Sequence, residues 1–330
     1  MTSDPRVFVT RRIPKEGIDL LSEVASVEVW PDRLPPPREE LIKEAARSDG
    51  LLTLLTDRID QELMDAAPRL RVVANYAVGY DNIDVESATS RGIWVTNTPG
   101  VLTEATADFS FALLLAAARR VVEGDRATRG GQWLTWEPTY MLGAAVHAKT
   151  LGIVGMGRIG ESVARRARGF SMEILYTDPN SRPDLEVELG IRQVELDELL
   201  STSDFISLHA PLNDNTRGLI GERELRVVKP GAILINTARG ELVDEGALVP
   251  ALESGPLGAA GLDVYRTEPI PGDHPLLRLD NVVLAPHLGS ATVEARTAMA
   301  EVAAGNLVSV LGGGRPQTPV NDPGGEGQGS

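Results

Sequence analysis

The amino-acid sequence of 330 residues has no cysteine and only four histidines. The absence of cysteine excludes disulfide bonds, thiolate metal sites and a cysteine nucleophile, and four histidines leave little for a histidine-rich metal cluster. No apolar run is long enough to span a membrane, and the first residues lack the basic and apolar segments of an export signal. We therefore expect a cytoplasmic protein that has no metal site and does not associate with membranes.

Basic residues are also fewer than acidic residues. The chain has 32 lysine and arginine residues against 47 aspartates and glutamates, which gives a formal net charge of −15. This balance argues against a nucleic-acid partner, because binding to nucleic acid needs a cationic surface that neutralises phosphates. A small anionic substrate needs only one local arginine in a recessed site. The length and the 42% hydrophobic content predict two domains.

The most informative motif is a glycine-rich turn. An apolar run that begins at Leu151 breaks into Gly155-Met156-Gly157-Arg158-Ile159-Gly160 and then opens a predicted helix. In a dinucleotide-binding turn the first glycine allows the tight bend, the second lets the backbone approach the pyrophosphate, and the third lets the helix pack on the strand. Glycine-rich turns also occur for structural reasons, but here a second apolar strand follows at 172–176. The strand-helix-strand context makes these six residues the candidate dinucleotide site.

An acidic residue, Asp178, stands at the tip of that second strand. Its carboxylate can accept hydrogen bonds from the adenosine ribose hydroxyls and would repel a 2′-phosphate. The sequence therefore predicts NAD(H) as the preferred cofactor and leaves NADP(H) as the second choice.

Short apolar strands alternate with helical stretches along the rest of the chain, a pattern typical of α/β folds with parallel sheets. The strands predicted in the first hundred residues are 7–9, 27–29, 50–54, 71–75 and 93–95. One long helix is predicted over 103–122. Further strands are predicted near residues 151 and 174 and at 205–208, 232–235, 259–262 and 282–284.

A last helix, 292–311, follows the predicted nucleotide unit, and we expect it to pack back on the first unit. The predicted fold class is α/β with two Rossmann-like doubly wound domains, the nucleotide-binding domain being inserted into a discontinuous substrate domain. The predicted domains are 1–99 with 288–320 for the substrate, 100–287 for NAD, and a disordered tail over 321–330. The crevice between the domains is the expected site.

Three polar residues, Arg239, Glu268 and His287, come just after apolar strands in the second half. Doubly wound sheets bind ligands at this end of their strands. Each residue taken alone has a simpler explanation. Arg239 also fits a solvated loop charge, Glu268 a surface acid before a turn proline, and His287 a loop histidine whose hydrogen bonds are satisfied. Their occurrence at one predicted sheet edge, in a chain with so few histidines, favours a catalytic site.

Together the three side chains supply what hydride transfer to a 2-keto acid requires. An arginine fork binds the carboxylate and polarises the carbonyl. An imidazole protonates the oxygen as hydride arrives at carbon, and a carboxylate on its other nitrogen fixes the tautomer. We predict that Arg239 binds the substrate, His287 protonates it and Glu268 supports His287.

From about Val7 to Asn321 the sequence resembles the D-isomer-specific 2-hydroxyacid dehydrogenases, and within them the glyoxylate/hydroxypyruvate reductases. The motifs that carry the resemblance are 72–84 (VVANYAVGYDNID), the glycine turn, 208–212 (LHAPL), 236–240 (NTARG), Glu268-Pro269 and Pro286-His287. The resemblance implies NADH-dependent reduction of glyoxylate or hydroxypyruvate to the D-2-hydroxy acid, with Arg239, Glu268 and His287 as the catalytic residues.

The same resemblance implies further contacts. Those to the cofactor are Thr237, Ala238, Arg239, Asp263 at the nicotinamide carboxamide, the segment from His287 to Gly289, and His209 and Pro211 on the nicotinamide side. Those to the substrate carboxylate come from the backbone around Val78 and Gly79. If the family resemblance is set aside, Val78-Gly79 also fits an ordinary turn and Asp263 also fits an acid that caps a strand end. His209 and Pro211 also fit the end of a strand with no ligand.

Trp133, Trp136 and Tyr140 lie in an aromatic segment, 131–149, that fits either core packing or an interface. The resemblance implies a dimer arm in which Trp136 reaches the partner subunit's substrate site, so we expect a homodimer.

Two other functions remain open. The apolar Leu54 and Leu55 indicate a pocket for a small head group, and the chain lacks a regulatory extension, so D-3-phosphoglycerate dehydrogenase is the second enzymatic candidate. An NAD(H)-sensing corepressor that resembles the C-terminal-binding proteins retains the same three polar residues, and is the candidate from another class.

Overall fold

The computed structural model describes residues 4–324. The chain divides into two compact units, one made of the residues up to Leu102 and those from Ala291 onward, the other of Thr103–Ser290. The sequence predicts these boundaries at 99/100 and 287/288, each three residues before the boundary between the units. Within residues 4–324, none of the helices has both the length and the apolar character needed to cross a bilayer.

The first unit contains a five-stranded parallel sheet of order β2-β1-β3-β4-β5. Its strands are β1 (Arg6–Val9), β2 (Ser26–Val29), β3 (Gly50–Thr53), β4 (Val72–Asn75) and β5 (Trp94–Thr96). Its connecting helices are α1 (Lys15–Ser22), α2 (Arg38–Ala45), α3 (Gln61–Asp65) and α4 (Val85–Ser90). β3 and β4 are buried at every residue, as expected for central parallel strands covered on both faces.

The second unit contains a seven-stranded parallel sheet. Its strands are β6 (Thr150–Val154), β7 (Glu173–Thr177), β8 (Arg192–Gln193), β9 (Phe205–Leu208), β10 (Ile233–Asn236), β11 (Ala259–Leu262) and β12 (Val282–Leu284). Its α-helices are α5 (Thr103–Ala118), α6 (Val121–Arg129), α7 (Arg158–Gly169), α8 (Pro183–Leu189), α9 (Leu196–Thr202), α10 (Glu222–Val227) and α11 (Glu245–Glu253). Two 3-10 helices, Gly240–Leu242 and Pro275–Arg278, complete the unit.

The strand order is β12-β11-β10-β9-β6-β7-β8. The chain adds β7 and β8 on one side of β6 and then crosses over to add β9 to β12 on the other side, so the order of strand addition reverses between β6 and β9. In an open α/β sheet this reversal leaves a crevice outside the carboxyl ends of the two neighbouring strands. The glycine turn follows β6 and His209 follows β9. The topology of the second unit thus confirms the predicted doubly wound sheet and places the turn at the ligand-binding position.

Helix α12 (Val293–Leu311) returns to the first unit, as predicted. Thr292 caps it by accepting a hydrogen bond from the Ala295 amide (3.1 Å). The helix packs on α1, β3 and β4. A Cβ at Gly17 would lie 2.8 Å from the carbonyl oxygen of Ala300, so glycine at this position permits the close approach of α1.

The single helix predicted over 103–122 is wrong. α5 ends at Ala118, and α6 begins after Arg120, whose φ of 52° is left-handed. No glycine or proline marks the break in the sequence, so the alanine-rich pattern runs through it. The prediction also omitted β8, because its two exposed polar residues carry no apolar signal.

The structure disagrees with one of the two alternatives for the aromatic segment and with the expected start of the tail. Trp133 and Trp136 are 58% and 78% exposed, so core packing does not explain the aromatic segment in this chain. The disordered tail does not begin at Asn321, whose Oδ1 accepts from the Val95 amide (2.7 Å) and whose Nδ2 donates to the Ile93 carbonyl (2.9 Å). Residues 325–330 of the predicted tail lie outside the described residues.

Candidate active site

The glycine turn depends on three glycines for three different reasons. Gly155 has φ of 95°, and a Cβ there would lie 2.7 Å from the carbonyl carbon of His209. A Cβ at Gly160 would lie 2.2 Å from the Gly155 carbonyl oxygen, so only glycine lets α7 start against the turn. Within 4 Å of a Cβ built on Gly157 there is no described atom. The outer face of Gly157 is therefore open to an approaching phosphate.

The N-terminus of α7 has no side-chain cap. Gly157 is the N-cap residue and has no side chain that could accept a hydrogen bond, and the predicted site residues Arg158 and Ile159 are the first two residues of the helix. First-turn amides have no acceptor within their helix, and the positive end of the helix dipole attracts anions. This end of α7 thus has the properties of a phosphate-binding site.

Asp178 and Arg182 hold the peptide groups on either side of Met156. Asp178 Oδ2 accepts from the Met156 amide (2.8 Å), and Arg182 Nη1 donates to the Met156 carbonyl (3.1 Å). Arg182 also pairs with Glu161 (3.0 Å) and Asp184 (2.8 Å), and these hydrogen bonds raise its pKa. The contacts fix the shape of the glycine turn before any ligand binds.

His209 is an uncharged imidazole at pH 7, because burial lowers its pKa to about 4. Its Nε2 lies 2.7 Å from Ser207 Oγ. Its Nδ1 is buried and has no partner among the described residues. A buried polar atom without a partner costs free energy, so Nδ1 fits a hydrogen bond with a bound ligand. Pro211 follows two residues later and accepts a hydrogen bond from Thr216 Oγ1 through its carbonyl (2.6 Å).

Asp263 is fully buried at the end of β11. Its Oδ1 accepts from the Leu288 amide (2.6 Å) and its Oδ2 from the Gly289 amide (2.7 Å). Burial raises its pKa, which these amides oppose. Asp263 thus anchors the loop that carries His287, in agreement with the capping role; a contact to the nicotinamide carboxamide remains a prediction.

His287 and Glu268 form the hydrogen-bonded pair that the sequence predicted. His287 Nδ1 lies 2.7 Å from Glu268 Oε2, and Glu268 Oε1 accepts from the Tyr265 amide (3.1 Å). His287 has φ of 57°, and its amide donates to the Asp263 carbonyl (2.9 Å), so the loop is held in this uncommon left-handed conformation. Because an ionised carboxylate can only accept, Nδ1 carries the proton and Nε2 remains for a substrate.

The electrostatics of the pair favour an ionised Glu268. Burial alone would raise its pKa, but the hydrogen bond from His287 and the charges of His287 and Arg239 outweigh burial and lower the pKa. About a third of each side chain is exposed, 31% for His287 and 33% for Glu268. The pair is therefore accessible from outside the unit.

Arg239 follows β10, next to the strand that leads to Glu268. Asn236 shapes its loop by donating from Nδ2 to the Arg239 carbonyl (2.8 Å) and accepting from the Ala238 amide (3.1 Å). A Cβ at Gly240 would lie 2.0 Å from the Tyr265 carbonyl carbon, so glycine here lets the two strand-end loops touch. Arg239 and Glu268 consequently share one sheet edge.

The remaining predicted residues are distributed as follows. Thr237 Oγ1 lies 2.8 Å from Ser110 Oγ beside the Arg239 loop. Leu55 follows β3, and Val78 and Gly79 follow β4, all three in the first unit. Trp136 lies in the segment between α6 and β6.

Sequence reasoning missed Arg182, Asn236 and Tyr265. Tyr265 donates from its hydroxyl to the Ala285 carbonyl (2.9 Å) and links the loops that carry Glu268 and His287. Asn236 stands three residues before Arg239, a spacing that allows it to cap the loop. The hydrogen bond from Arg182 to Met156 joins two segments that are 26 residues apart, so no local sequence pattern indicates it.

A glycine turn that fits a dinucleotide, together with Arg239, Glu268 and His287 after neighbouring strands of the same sheet, defines a nicotinamide-dependent dehydrogenase. Residues 111–289 match the NAD binding domain of the D-isomer specific 2-hydroxyacid dehydrogenases. A glyoxylate reductase of Korarchaeum cryptofilum is 57% identical over 318 residues, which cover 96% of each protein. The chain belongs to the D-isomer specific 2-hydroxyacid dehydrogenase family.

Solved structures agree with this assignment. A Thermus thermophilus protein is 50% identical with a TM-score of 0.91, over 96% of this chain and 100% of that chain. An NADPH-dependent glyoxylate/hydroxypyruvate reductase from Sinorhizobium meliloti, in complex with NADP and malonate, is 33% identical with a TM-score of 0.83, over 96% of this chain and 97% of that chain.

Proposed function

We propose that the protein reduces glyoxylate and hydroxypyruvate to the D-2-hydroxy acids glycolate and D-glycerate, with NADH as the preferred reductant. The observation that carries this proposal is the 2.7 Å pair of His287 and Glu268 at the sheet edge that also bears Arg239. The names of the relatives point to the same substrates, since those that are 52–57% identical over nearly the full chain are glyoxylate reductases.

In this proposal each catalytic side chain has one task. Arg239 binds the substrate carboxylate and polarises the carbonyl, because its planar fork matches that geometry and its charge is permanent. His287 gives the proton on Nε2 to the developing alkoxide. Glu268 orients the imidazole through Nδ1 and stabilises its protonated form. Bound NADH supplies the hydride.

The residues around the turn fit a dinucleotide. Gly157 is open, the first turn of α7 is uncapped, and His209 Nδ1 lacks a partner. We assign the pyrophosphate to the turn and the nicotinamide half to the strand-end residues. The proposed contacts comprise Gly155, Met156, Gly157, Arg158, Ile159, Gly160, His209, Pro211, Thr237, Ala238, Arg239, Asp263, His287 and Gly289.

The preference for NADH rests on Asp178. Each of its carboxylate oxygens already accepts one amide, from Met156 and from Asn180 (2.8 Å each). Each keeps capacity for a ribose hydroxyl, whereas a 2′-phosphate would meet a fixed negative charge. Arg182 does not compensate, because Glu161 and Asp184 already pair with it. The Sinorhizobium meliloti relative is described as NADPH-dependent, so the family name alone does not decide the cofactor.

The substrate contacts proposed on the first unit are Leu55, Val78 and Gly79. Leu54 and Leu55 are apolar, which suits a small head group better than a phosphate. D-3-phosphoglycerate is therefore the second substrate class to test.

We further propose a homodimer formed through the exposed segment 131–149. Leu134 and Trp136 are 90% and 78% exposed, more apolar surface than a loop normally leaves in water. Trp136 is assigned to the partner subunit's substrate site.

The proposal is tested by following NADH and NADPH oxidation with glyoxylate, hydroxypyruvate, 3-phosphohydroxypyruvate, pyruvate and larger 2-keto acids. Highest kcat/KM for glyoxylate or hydroxypyruvate with NADH is the expected result. A preference for the phosphorylated acid would assign the phosphoglycerate reaction. Tight NADH binding with negligible turnover of every acid would identify a binding protein instead.

A further inference from the structure

The loop that follows β4 has three successive carbonyl groups, those of residues 77–79, each tied to a donor. The Ala77 carbonyl accepts from the Thr98 amide (2.8 Å). The Val78 carbonyl accepts from Asn97 Nδ2 (2.7 Å), and the Gly79 carbonyl accepts from Asn75 Nδ2 (2.8 Å). Two of the three donors are thus asparagine side chains.

These bonds determine where the amides of the loop point. In a planar trans peptide the C=O and the following N–H point in opposite directions. Holding the carbonyls of 77, 78 and 79 therefore turns the amides of Val78, Gly79 and Tyr80 away from their anchors. None of these three amides donates to an atom of the described residues. Successive unpaired amides of this kind form an anion-binding group.

The asparagines are themselves fixed. Asn75 ends β4, Asn97 follows β5, and the register Ala74↔Thr96 sets them side by side. Asn75 Oδ1 accepts from Thr53 Oγ1 (3.1 Å). The backbone of Asn97 is clamped by Thr318, whose Oγ1 donates to the Asn97 carbonyl (2.6 Å). Both asparagine donors therefore lie at strand ends, one as the last residue of β4 and the other directly after β5.

A third asparagine, Asn82, links this loop to the neighbouring loop that follows β3. Asn82 Nδ2 donates to the carbonyls of Leu54 (3.1 Å) and Asp57 (2.9 Å), and its Oδ1 accepts from Asn75 Nδ2 (3.1 Å). The loop that carries Leu55 and the loop that carries Val78 and Gly79 are thus joined through one partly buried network of asparagine side chains.

We propose that Asn97, together with Asn75, is a positioning residue for the reaction: it presents the amides of Val78, Gly79 and Tyr80 to the substrate carboxylate. The inference rests on the proposed function and adds to it the side chains that orient the loop, with Tyr80 as a third donor. Asn97 does not contact the substrate in this account; it acts through the Val78 carbonyl.

The test compares wild type with Asn97→Ala and Asn97→Asp. Alanine removes the donor, and aspartate keeps the size of the side chain but places an acceptor against the Val78 carbonyl. We expect KM for glyoxylate to rise about tenfold in both, with kcat changed less than about twofold, because a lost binding interaction that is equal in ground and transition state appears in KM. The affinity of the NADH complex for oxamate, measured by calorimetry, should fall by about the same factor.

Asn321→Ala is the matched control, since it removes asparagine-to-backbone hydrogen bonds at another site of the same unit. Its KM should equal that of wild type. An unchanged KM in both Asn97 variants, or a loss of kcat and thermal midpoint with no change in oxamate affinity, would overturn the inference. If wild type itself neither reduces any keto acid nor binds oxamate, the proposed function fails, and the two failures are thereby distinguished.

Discussion

His287 Nδ1 lies 2.7 Å from Glu268 Oε2, whose partner oxygen Oε1 accepts a hydrogen bond from the Tyr265 amide, and the backbone amide of His287 donates to the Asp263 carbonyl. The imidazole is therefore oriented before substrate binds. In the proposed reaction, an imidazole that is already oriented can donate its proton without first losing rotational freedom.

Replacement of Glu268 by glutamine tests this relationship. Glutamine still offers an oxygen to Nδ1 but lacks the charge that favours the protonated ring. We expect kcat/KM for hydroxypyruvate at pH 7.5 to fall roughly tenfold or more. Steady-state rates of the variant and wild type measure this effect. An unchanged kcat/KM would show that Glu268 only supports the loop.

The lowered pKa of Glu268 also predicts a direction for stability. A carboxyl group with a lower pKa in the folded state stabilises the fold above its unfolded pKa, and this contribution is lost as the pH falls through the folded pKa. Wild type should therefore lose more unfolding free energy than Glu268→Gln between pH 5 and pH 3. Denaturant titrations at fixed pH give the comparison, and parallel curves would contradict it.

His209 provides a second pH effect with a different window. Its folded pKa is about 4 because of burial, against an ordinary 6.5, so the unfolded chain takes up the proton first as the pH falls. Stability is full above pH 6.5 and declines between 6.5 and about 4, by at most ~3 kcal/mol. His209→Gln keeps a hydrogen-bonding amide near Ser207 and should flatten this decline. Free energies of unfolding at pH 7 and pH 5 decide the point.

Cofactor choice is tested by Asp178→Asn. Asparagine keeps an acceptor for the Met156 amide but removes the negative charge, so the glycine turn should survive while the repulsion of a 2′-phosphate disappears. We expect kcat/KM for NADPH to rise about tenfold and the value for NADH to change little or fall. Wild type that uses NADPH as well as NADH would show that Asp178 does not select the cofactor.

The homodimer is tested by the double substitution Leu134→Glu with Trp136→Glu. Two charges on the exposed segment 131–149 should shift the mass from dimer to monomer in light scattering at micromolar concentration. Val187→Glu is the control, because Val187 is 88% exposed on α8 in the same unit. A wild-type monomer, or a dimer that survives the double substitution, would contradict the proposed interface.

Much of the fold follows from local sequence. Short, mostly apolar strands such as β9 and β10, each followed by turn residues, identify central parallel strands, and the glycine spacing places the nucleotide turn at β6. The ends of elements do not follow from local sequence, since the break at Arg120 has no glycine or proline and β8 has only two residues, both polar.

The candidate site also contains residues that the sequence indicates and residues that only the tertiary structure shows. Arg239, Glu268 and His287 can be identified from the sequence because each stands three to six residues after an apolar strand. Arg182, Asn97 and Tyr265 are not, because each acts on a backbone group from a distant part of the chain and its residue type alone indicates nothing. Such contacts depend on tertiary packing and can be identified only when the strands are placed side by side.

The most direct test of the central claim is the rate of NADH oxidation by wild type and His287→Asn with hydroxypyruvate, measured beside NADH affinity by fluorescence titration. The account predicts a loss of kcat of about 10²-fold or more with NADH affinity unchanged within about twofold. Equal turnover in the two proteins, or a parallel loss of NADH binding, would contradict the role of His287 as proton donor.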